Sequence, residues 1–265
     1  MSAWGGISIV NAIPSGLGSA AAIDMKTRIR IRSCGDATTN TSRLVETIIN
    51  YFTARYGLPK VCVEIESDVP MGSGLKSSSS VAVALIDALR RHFSLEELDV
   101  PRLAAELSRI AGVSITGALD DAAAAYYGGI VFTDNTNMKI LRVVDNKSEL
   151  ATAILLPRNV RRPQIDVERL RRFSHIFVEA YNIAMQGEIL KAMTINGLAI
   201  ARLLNYPEDI PRKALELGAL AAGVSGNGPA IFAVCRLGDE GPVLDFFGRY
   251  GEVYMHRFVR LGEKP

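Results

Sequence analysis

Cysteine, histidine and tryptophan are scarce in this chain, with three, three and one in 265 residues. Cys34, Cys62 and Cys235 are far apart and odd in number, which argues against a disulfide framework and a Cys-rich zinc site and fits a reducing cytoplasm. His92, His175 and His256 are too scattered to suggest zinc and are expected on helix or strand surfaces. No apolar run approaches the roughly eighteen residues that a membrane helix needs. The first twenty residues lack a basic leader and carry Asn11, Pro14 and several glycines, so neither a secretion signal nor an anchor is expected. Charge of one sign is also missing: 30 basic against 28 acidic residues leave a net +2, which implies no general affinity for nucleic acid. There is no G-x-x-x-x-G-K-[ST], which argues against a P-loop NTPase, and no G-x-S-x-G elbow with a histidine partner, which argues against a serine hydrolase.

With 48% apolar and 22% charged residues, the composition is that of a globular protein. The absence of a low-complexity linker points to two closely packed lobes rather than tethered domains. The spacing predicts strands over Ile7 to Ile13 and Ile23 to Ile31, paired as an antiparallel hairpin, then a helix over Arg43 to Tyr56 and a strand over Val61 to Ile65. Helices are expected from about Lys76 to His92, from Pro101 to near Gly112, and over Asp120 to Tyr127. Strands follow at Ile130 to Phe132, Lys139 to Val144 and Ala153 to Leu156. Two long helical patterns cover about 166 to 204, interrupted by Gly187 and Gly197, and Ala219 to Cys235 reads as strand, turn, strand. A helix near Val243 to Arg249 and a strand near Val253 to Val259 complete an α+β sandwich.

The chemistry concentrates in three segments. In Asp68-Val-Pro-Met-Gly-Ser-Gly-Leu-Lys-Ser-Ser-Ser-Ser80, glycines join a strand to a helix N-terminus, where unpaired N–H groups and the positive dipole end favour an anion such as phosphate. Lys76 to Ser80 add a cation and four hydroxyls. In Gly112 to Ile130, Asp120 and Asp121 precede an alanine-rich helix and the pair Gly128-Gly129. Adjacent carboxylates point in different directions, so one would face a substrate hydroxyl while the other caps the helix. The third segment, Gly223-Val-Ser-Gly-Asn-Gly-Pro229, is a glycine turn between apolar strands. Pro14-Ser-Gly-Leu-Gly-Ser-Ala20 echoes the first segment, but it lies between strands and is taken as a turn bordering a substrate pocket.

The order Pro70-x-x-x-Gly74-Leu75-Lys76-Ser77-Ser78-Ser79, then Asp120-Asp121 with the glycine pair, then Gly226-Asn227-Gly228, resembles the three motifs of the GHMP kinases. The Lys76 position is glycine in most of that family. Ile9 to Asp24 and Gly112 to Ala122 look most like the archaeal-type shikimate kinases. The resemblance implies a two-lobed α+β fold with a ribosomal protein S5 domain 2-like lobe over 1–150 and a ferredoxin-like lobe over 151–265, and a left-handed βαβ crossover. It also implies transfer of the ATP γ-phosphate to the 3-hydroxyl of shikimate, by a monomer or homodimer with no nucleic-acid or membrane partner. ATP would lie on Pro70, Met71, Gly72, Ser73, Gly74, Leu75, Lys76, Ser77, Ser78, Ser79 and Ser80, with Gly226, Asn227 and Gly228 opposite. Asp120 or Asp121 would serve the acceptor. Mg2+ would sit on the Ser77 or Ser78 hydroxyl, with Glu106, one helix upstream of the aspartates, as the carboxylate best placed by chain order to meet it. Shikimate carries a carboxylate, for which Arg158, with Arg161 and Arg162 beside it, is the candidate partner, while Asn11 and Ser15 would meet its hydroxyls. Homoserine or mevalonate kinase, or a non-catalytic ATP-binding protein, are the alternative readings.

Overall fold

The computed structural model describes residues 1–33, 42–59, 61–95, 98–146 and 149–265. The elements run β1 (Ser2–Val10), β2 (Leu17–Ser33), α1 (Arg43–Tyr56), β3 (Val61–Ser67), α2 (Ser77–His92), α3 (Val100–Ile110), α4 (Leu119–Tyr127), β4 (Ile130–Asp134), β5 (Lys139–Val144), β6 (Leu150–Pro157), α5 (Val167–Arg172), α6 (Ser174–Met185), α7 (Ile189–Leu203), α8 (Asp209–Glu216), β7 (Ala221–Val224), β8 (Ile231–Arg236), α9 (Gly241–Phe247) and β9 (Gly251–Arg257). Strands β1 to β5 form one sheet and β7-β8-β6-β9 a second. The long β2 organises the first sheet. It pairs with β1 along one edge, and along the other with β4 through Leu17 to Ala21 and with β3 through Thr27 to Ser33, all antiparallel.

The expected hairpin is present but longer, because Leu17 to Ala20 continue β2 and only the segment around Ile13 to Gly16 turns. Local chemistry sets the helix starts: the Ser42 hydroxyl accepts from Val45 N–H, and the Asp99 and Asp166 carboxylates accept from the N–H of Arg102 and Arg169. The span 166 to 204 resolves into three helices, broken after Arg172 and again around Gly187, whose φ of 100° suits glycine. Gly197 does not break α7. It is buried there because the backbone of Gly223 in β7 passes directly against it. α8 has no counterpart among the expected elements; its burial rests on Ile210, Pro211 and Ala214, too short a pattern to read from sequence.

One apolar core runs through both sheets, joining Ile7, Ile9 and Phe132 of the first to Ile154, Phe177 and Phe232 around the second. A separate cluster packs α1, α2 and α3 on the first sheet through Leu44, Ile48, Phe52, Val83 and Leu107. The C-terminal segment returns to the first sheet: Val259 N–H donates to Ala22 O, Gly262 N–H to Tyr127 O, and the Trp4 indole to Glu263 O at 3.1 Å. His256 Nδ1 lies 2.9 Å from Asp24 Oδ1, joining β9 to β2.

Cys235 is a free, buried thiol. Cys62, in β3, is disulfide-bonded, so the expectation drawn from three distant cysteines does not hold for it. Cys34 lies outside the described residues. Among the described residues no helix is long and apolar enough to cross a membrane.

Helix propensity alone says that Gly197→Ala stabilises α7. The packing says the opposite, since a Cβ would sit 2.5 Å from Gly223 Cα. Gly197→Ala is therefore expected to cost about 1–3 kcal/mol and to lower the thermal midpoint by about 2–4 °C per kcal/mol, measured by calorimetry.

Candidate active site

Three loops meet around an open cleft. The loop between β3 and α2 owes its shape to alternating left-handed residues, Gly72 (φ 70°), Gly74 (φ 89°) and Lys76 (φ 71°). Gly72 has open space where a side chain would be, whereas a side chain on Gly74 would strike the Ser225 carbonyl. That contact continues as hydrogen bonds: Ser225 Oγ donates to Gly74 O at 3.0 Å and Ala230 N–H to Ser73 O at 2.9 Å. The Gly6 N–H of β1 donates to Leu75 O. The β3–α2 loop, β1 and the third glycine loop are thus stitched together, by main-chain bonds and the Ser225 hydroxyl.

α2 begins at Ser77 with no side-chain cap, and its first intrahelical bond runs from Ser80 N–H to Lys76 O. The N–H groups of Ser77, Ser78 and Ser79 therefore lack helical acceptors, and these three residues line the cleft with Gly72, Gly74 and Lys76. The rest of the motif is support. Ser73 donates to Pro70 O, Leu75 is buried, the Ser80 hydroxyl donates to Ala3 O, and Met71 projects into solvent at 92% exposure.

Facing the helix terminus is α4. Gly117 and Ala118 turn the chain through positive φ, and Asn135, just after β4, accepts the Leu119 N–H at 2.7 Å. The same amide donates to Asp120 Oδ1 at 3.1 Å and to Thr133 Oγ1 at 2.8 Å. Asp120 is only 3% exposed and fits because Gly18 of β2 has no side chain, since a Cβ there would lie 2.8 Å from the carboxylate. Burial, reinforced by the neighbouring Asp121 charge and opposed by Lys76 and Asn135, pushes the Asp120 carboxyl up to about 7. Burial, with Asp120 nearby, likewise pushes the Tyr181 phenol up to about 12.

Asp121 has a different setting. Lys76 Nζ lies 2.9 Å from Asp121 Oδ1, a charge contact rather than an aligned hydrogen bond, with the two side chains 7% and 15% exposed. The ammonium also donates to Ser8 Oγ at 2.5 Å. The lysine stem crosses β1 at Gly6, and the ammonium passes Gly226 of the third loop. The cation is thus neither solvated nor left over; it is the partner of the second aspartate.

The third loop contributes Gly226 and Asn227 to the cleft, while Gly228 lies against the Tyr206 ring, outside the lining. Tyr206 Oη donates to Asn227 O at 2.8 Å. Asn11 lines the cleft, but its side-chain N–H groups donate to Gly226 O (2.8 Å) and Asn227 Oδ1 (3.2 Å), and Asn196 of α7 donates to its oxygen. Its amide hydrogens are therefore used in holding the third loop, not free for a substrate hydroxyl.

Besides Pro70, Met71, Ser73, Leu75 and Ser80 of the first motif, four further expected residues stand apart from the cleft. The Ser15 hydroxyl accepts from Leu17 N–H within the first turn. Arg158 is exposed and off the cleft, whereas Arg162, four residues on, lines it. Gly228 is covered as described above. Glu106 pairs with Arg102 at 3.1 Å on the outer side of α3; Ser108, about 200° further round the helix, is the α3 residue on the cleft. Ser8, Asn135, Asn196 and Tyr206 carry no motif signal as single polar residues, and only the fold brings them here, while Ser225 lies inside the third glycine segment without having been singled out. Among the described residues no group of three or more His, Cys, Asp or Glu side chains is arranged to hold a metal.

Replacing Asp120 tests its burial. The folded state holds this proton up to about pH 7, against an ordinary value of 3.8, so the wild type loses stability as pH rises through that window. Asp120→Asn is expected to raise the thermal midpoint relative to wild type at pH 8, by about 2–4 °C per kcal/mol recovered, with the advantage shrinking towards pH 4.

Two family models match, the GHMP kinases N terminal domain over residues 43–129 and the GHMP kinases C terminal over 184–253. The shikimate kinase of Pyrococcus abyssi is 37% identical over 268 positions, covering 93% of this chain and 94% of that protein. That of Thermococcus kodakarensis is 38% identical over 258 positions, covering 90% and 93%. Among solved structures, Leishmania major mevalonate kinase in complex with R-mevalonate superposes with a TM-score of 0.74 at 15% identity, covering 99% of this chain and 96% of that one. Homoserine kinase from Cytophaga hutchinsonii gives 0.71 at 18%, covering 100% and 96%; at these identities the likeness speaks for the fold.

Proposed function

Because the chain belongs to the GHMP kinases and matches archaeal shikimate kinases along most of its length, we propose that it transfers the γ-phosphate of ATP to the 3-hydroxyl of shikimate. The products are shikimate 3-phosphate and ADP, on the route to chorismate and the aromatic amino acids. The structural observation that carries the reading is that the uncapped first turn of α2 and the Asp121 carboxylate line one cleft. Phosphoryl transfer asks the protein mainly for positioning and electrostatic stabilisation, and both are supported there. The backbone N–H groups of Ser77 to Ser79 bind phosphate oxygens, Gly72 leaves room for the ligand beside the main chain, and Asn227 closes the cleft from the other lobe.

Asp121 takes the part of the carboxylate base that orients the acceptor hydroxyl and receives its proton, because Asp120 is buried and tied to Asn135. Magnesium bound with ATP would offset the phosphate charge, and the Ser78 hydroxyl, on a residue that lines the cleft, is the hard oxygen we assign to it. Most of its ligands would then be phosphate oxygens and water, as is usual for magnesium held with a nucleotide. The acceptor carboxylate needs a cation. Lys76 is engaged by Asp121, so Arg162 is the candidate, at the side of the cleft near Tyr206 and Asn227. The change of sheet between β5 and β6 supports a nucleotide lobe over 1–150 and a second lobe over 151–265. A cytoplasmic setting, where ATP is available, accompanies this reading.

Incubation with ATP and magnesium and, separately, shikimate, homoserine or mevalonate tests the assignment. Turnover with shikimate alone is expected, and turnover with a different acceptor alone overturns the substrate. Asp121→Asn should lower kcat by about 10²–10⁴-fold with ATP affinity retained, read by steady-state kinetics and nucleotide titration. Arg162→Gln should raise KM for shikimate by roughly tenfold to a hundredfold, as loss of a charged hydrogen-bonding partner does, and leave KM for ATP unchanged.

A further inference from the structure

Lys76 is poorly chosen if local stability is the criterion. Its φ of 71° lies in the left-handed region, which costs a non-glycine residue about 1 kcal/mol or more. It occupies the N-cap of α2, where a lysine has no acceptor to offer the free N–H groups and its charge faces the positive end of the helix dipole. Glycine would remove both penalties. The side chain is nevertheless almost wholly buried, its stem laid over Gly6 and its ammonium held between Ser8 Oγ at 2.5 Å and Asp121 Oδ1 at 2.9 Å.

We propose that Lys76 is a positioning residue for the transfer, acting through Asp121: its ammonium anchors that carboxylate in the cleft, supplied from the phosphate loop itself. The inference rests on the kinase reading above. Asp121 stands on the first turn of α4 and makes no aligned hydrogen bond through Oδ1, so the lysine is the group that sets where this carboxylate points. Ser8 fixes the lysine in turn, and the Ser8 N–H donates to Ser225 Oγ, which bonds the phosphate loop. The acid is thereby referenced to the same backbone that would hold the phosphates, and the distance between acceptor and donor sites is built in.

The test compares Lys76→Gly, Lys76→Met, Asp121→Asn and the Lys76→Gly/Asp121→Asn double variant, assayed with ATP, magnesium and shikimate, alongside thermal unfolding. Wild-type turnover of shikimate establishes the activity separately, so a wild type inactive on every acceptor refutes the kinase reading and not the role of Lys76. Lys76→Gly and Lys76→Met are each expected to lose about 100-fold or more in kcat, with KM for ATP within about threefold of wild type. Lys76→Gly should unfold at a higher temperature than Lys76→Met, since only it relieves the backbone. The double variant should fall within about threefold of Asp121→Asn alone, because a residue acting through another adds little once that other is gone. Wild-type kcat in Lys76→Gly, a loss confined to KM for ATP, or losses that multiply in the double variant would each overturn the proposal.

Discussion

The site depends on a backbone collision that only glycine avoids. Gly74 lies so close to the Ser225 carbonyl that any side chain would have to occupy the same space. From that contact follow the hydrogen bonds from Ser225 to Gly74 and from Ala230 to Ser73, which lock the loop before α2 to the loop between β7 and β8. The two loops belong to different sheets, so their register determines how the lobes meet. A cleft bounded by main chain on both sides is stiff, because main-chain positions cannot change rotamer. Preorganised donors of this kind need little rearrangement when charge develops on a ligand.

The two adjacent aspartates show how a fold divides one sequence feature into two tasks. Both stand at the start of α4, yet a 100° step round the helix sends Asp120 inward beneath Gly18 and Asn135, and Asp121 towards Lys76. The inner carboxyl is held by a neutral amide and is easily protonated. The outer one is met by a cation. Asn135 links them further, because it also caps α4 and so fixes the direction of the helix that carries both.

Much of this was legible in the residues. Glycines with hydroxyls before an apolar helix announce an anion site for local reasons, and the order of three motifs marks the family, so the cleft's main walls were anticipated. What escaped depends on tertiary register. Glu106 follows Asp99 on a predicted helix, but its side of α3 faces solvent, and chain order carries no information about helix rotation. Arg158 and Arg162 are equivalent in a basic stretch until the turn after β6 selects one. Asn11 lines the cleft but is held by the third loop and by the Asn196 amide, which lies 185 residues away in the chain. Gly197 looked like a helix breaker because its partner, Gly223, is invisible without the packing.

The return of the C-terminal segment has a consequence for how the protein is made. Trp4, Ala22 and Tyr127 are served by Glu263, Val259 and Gly262, so the first sheet holds partners that a ribosome supplies more than a hundred residues later. Until those residues have been synthesised, the Trp4 indole N–H and the Tyr127 carbonyl lack these partners, so the half of the chain that holds the β3–α2 loop closes only with a segment made much later.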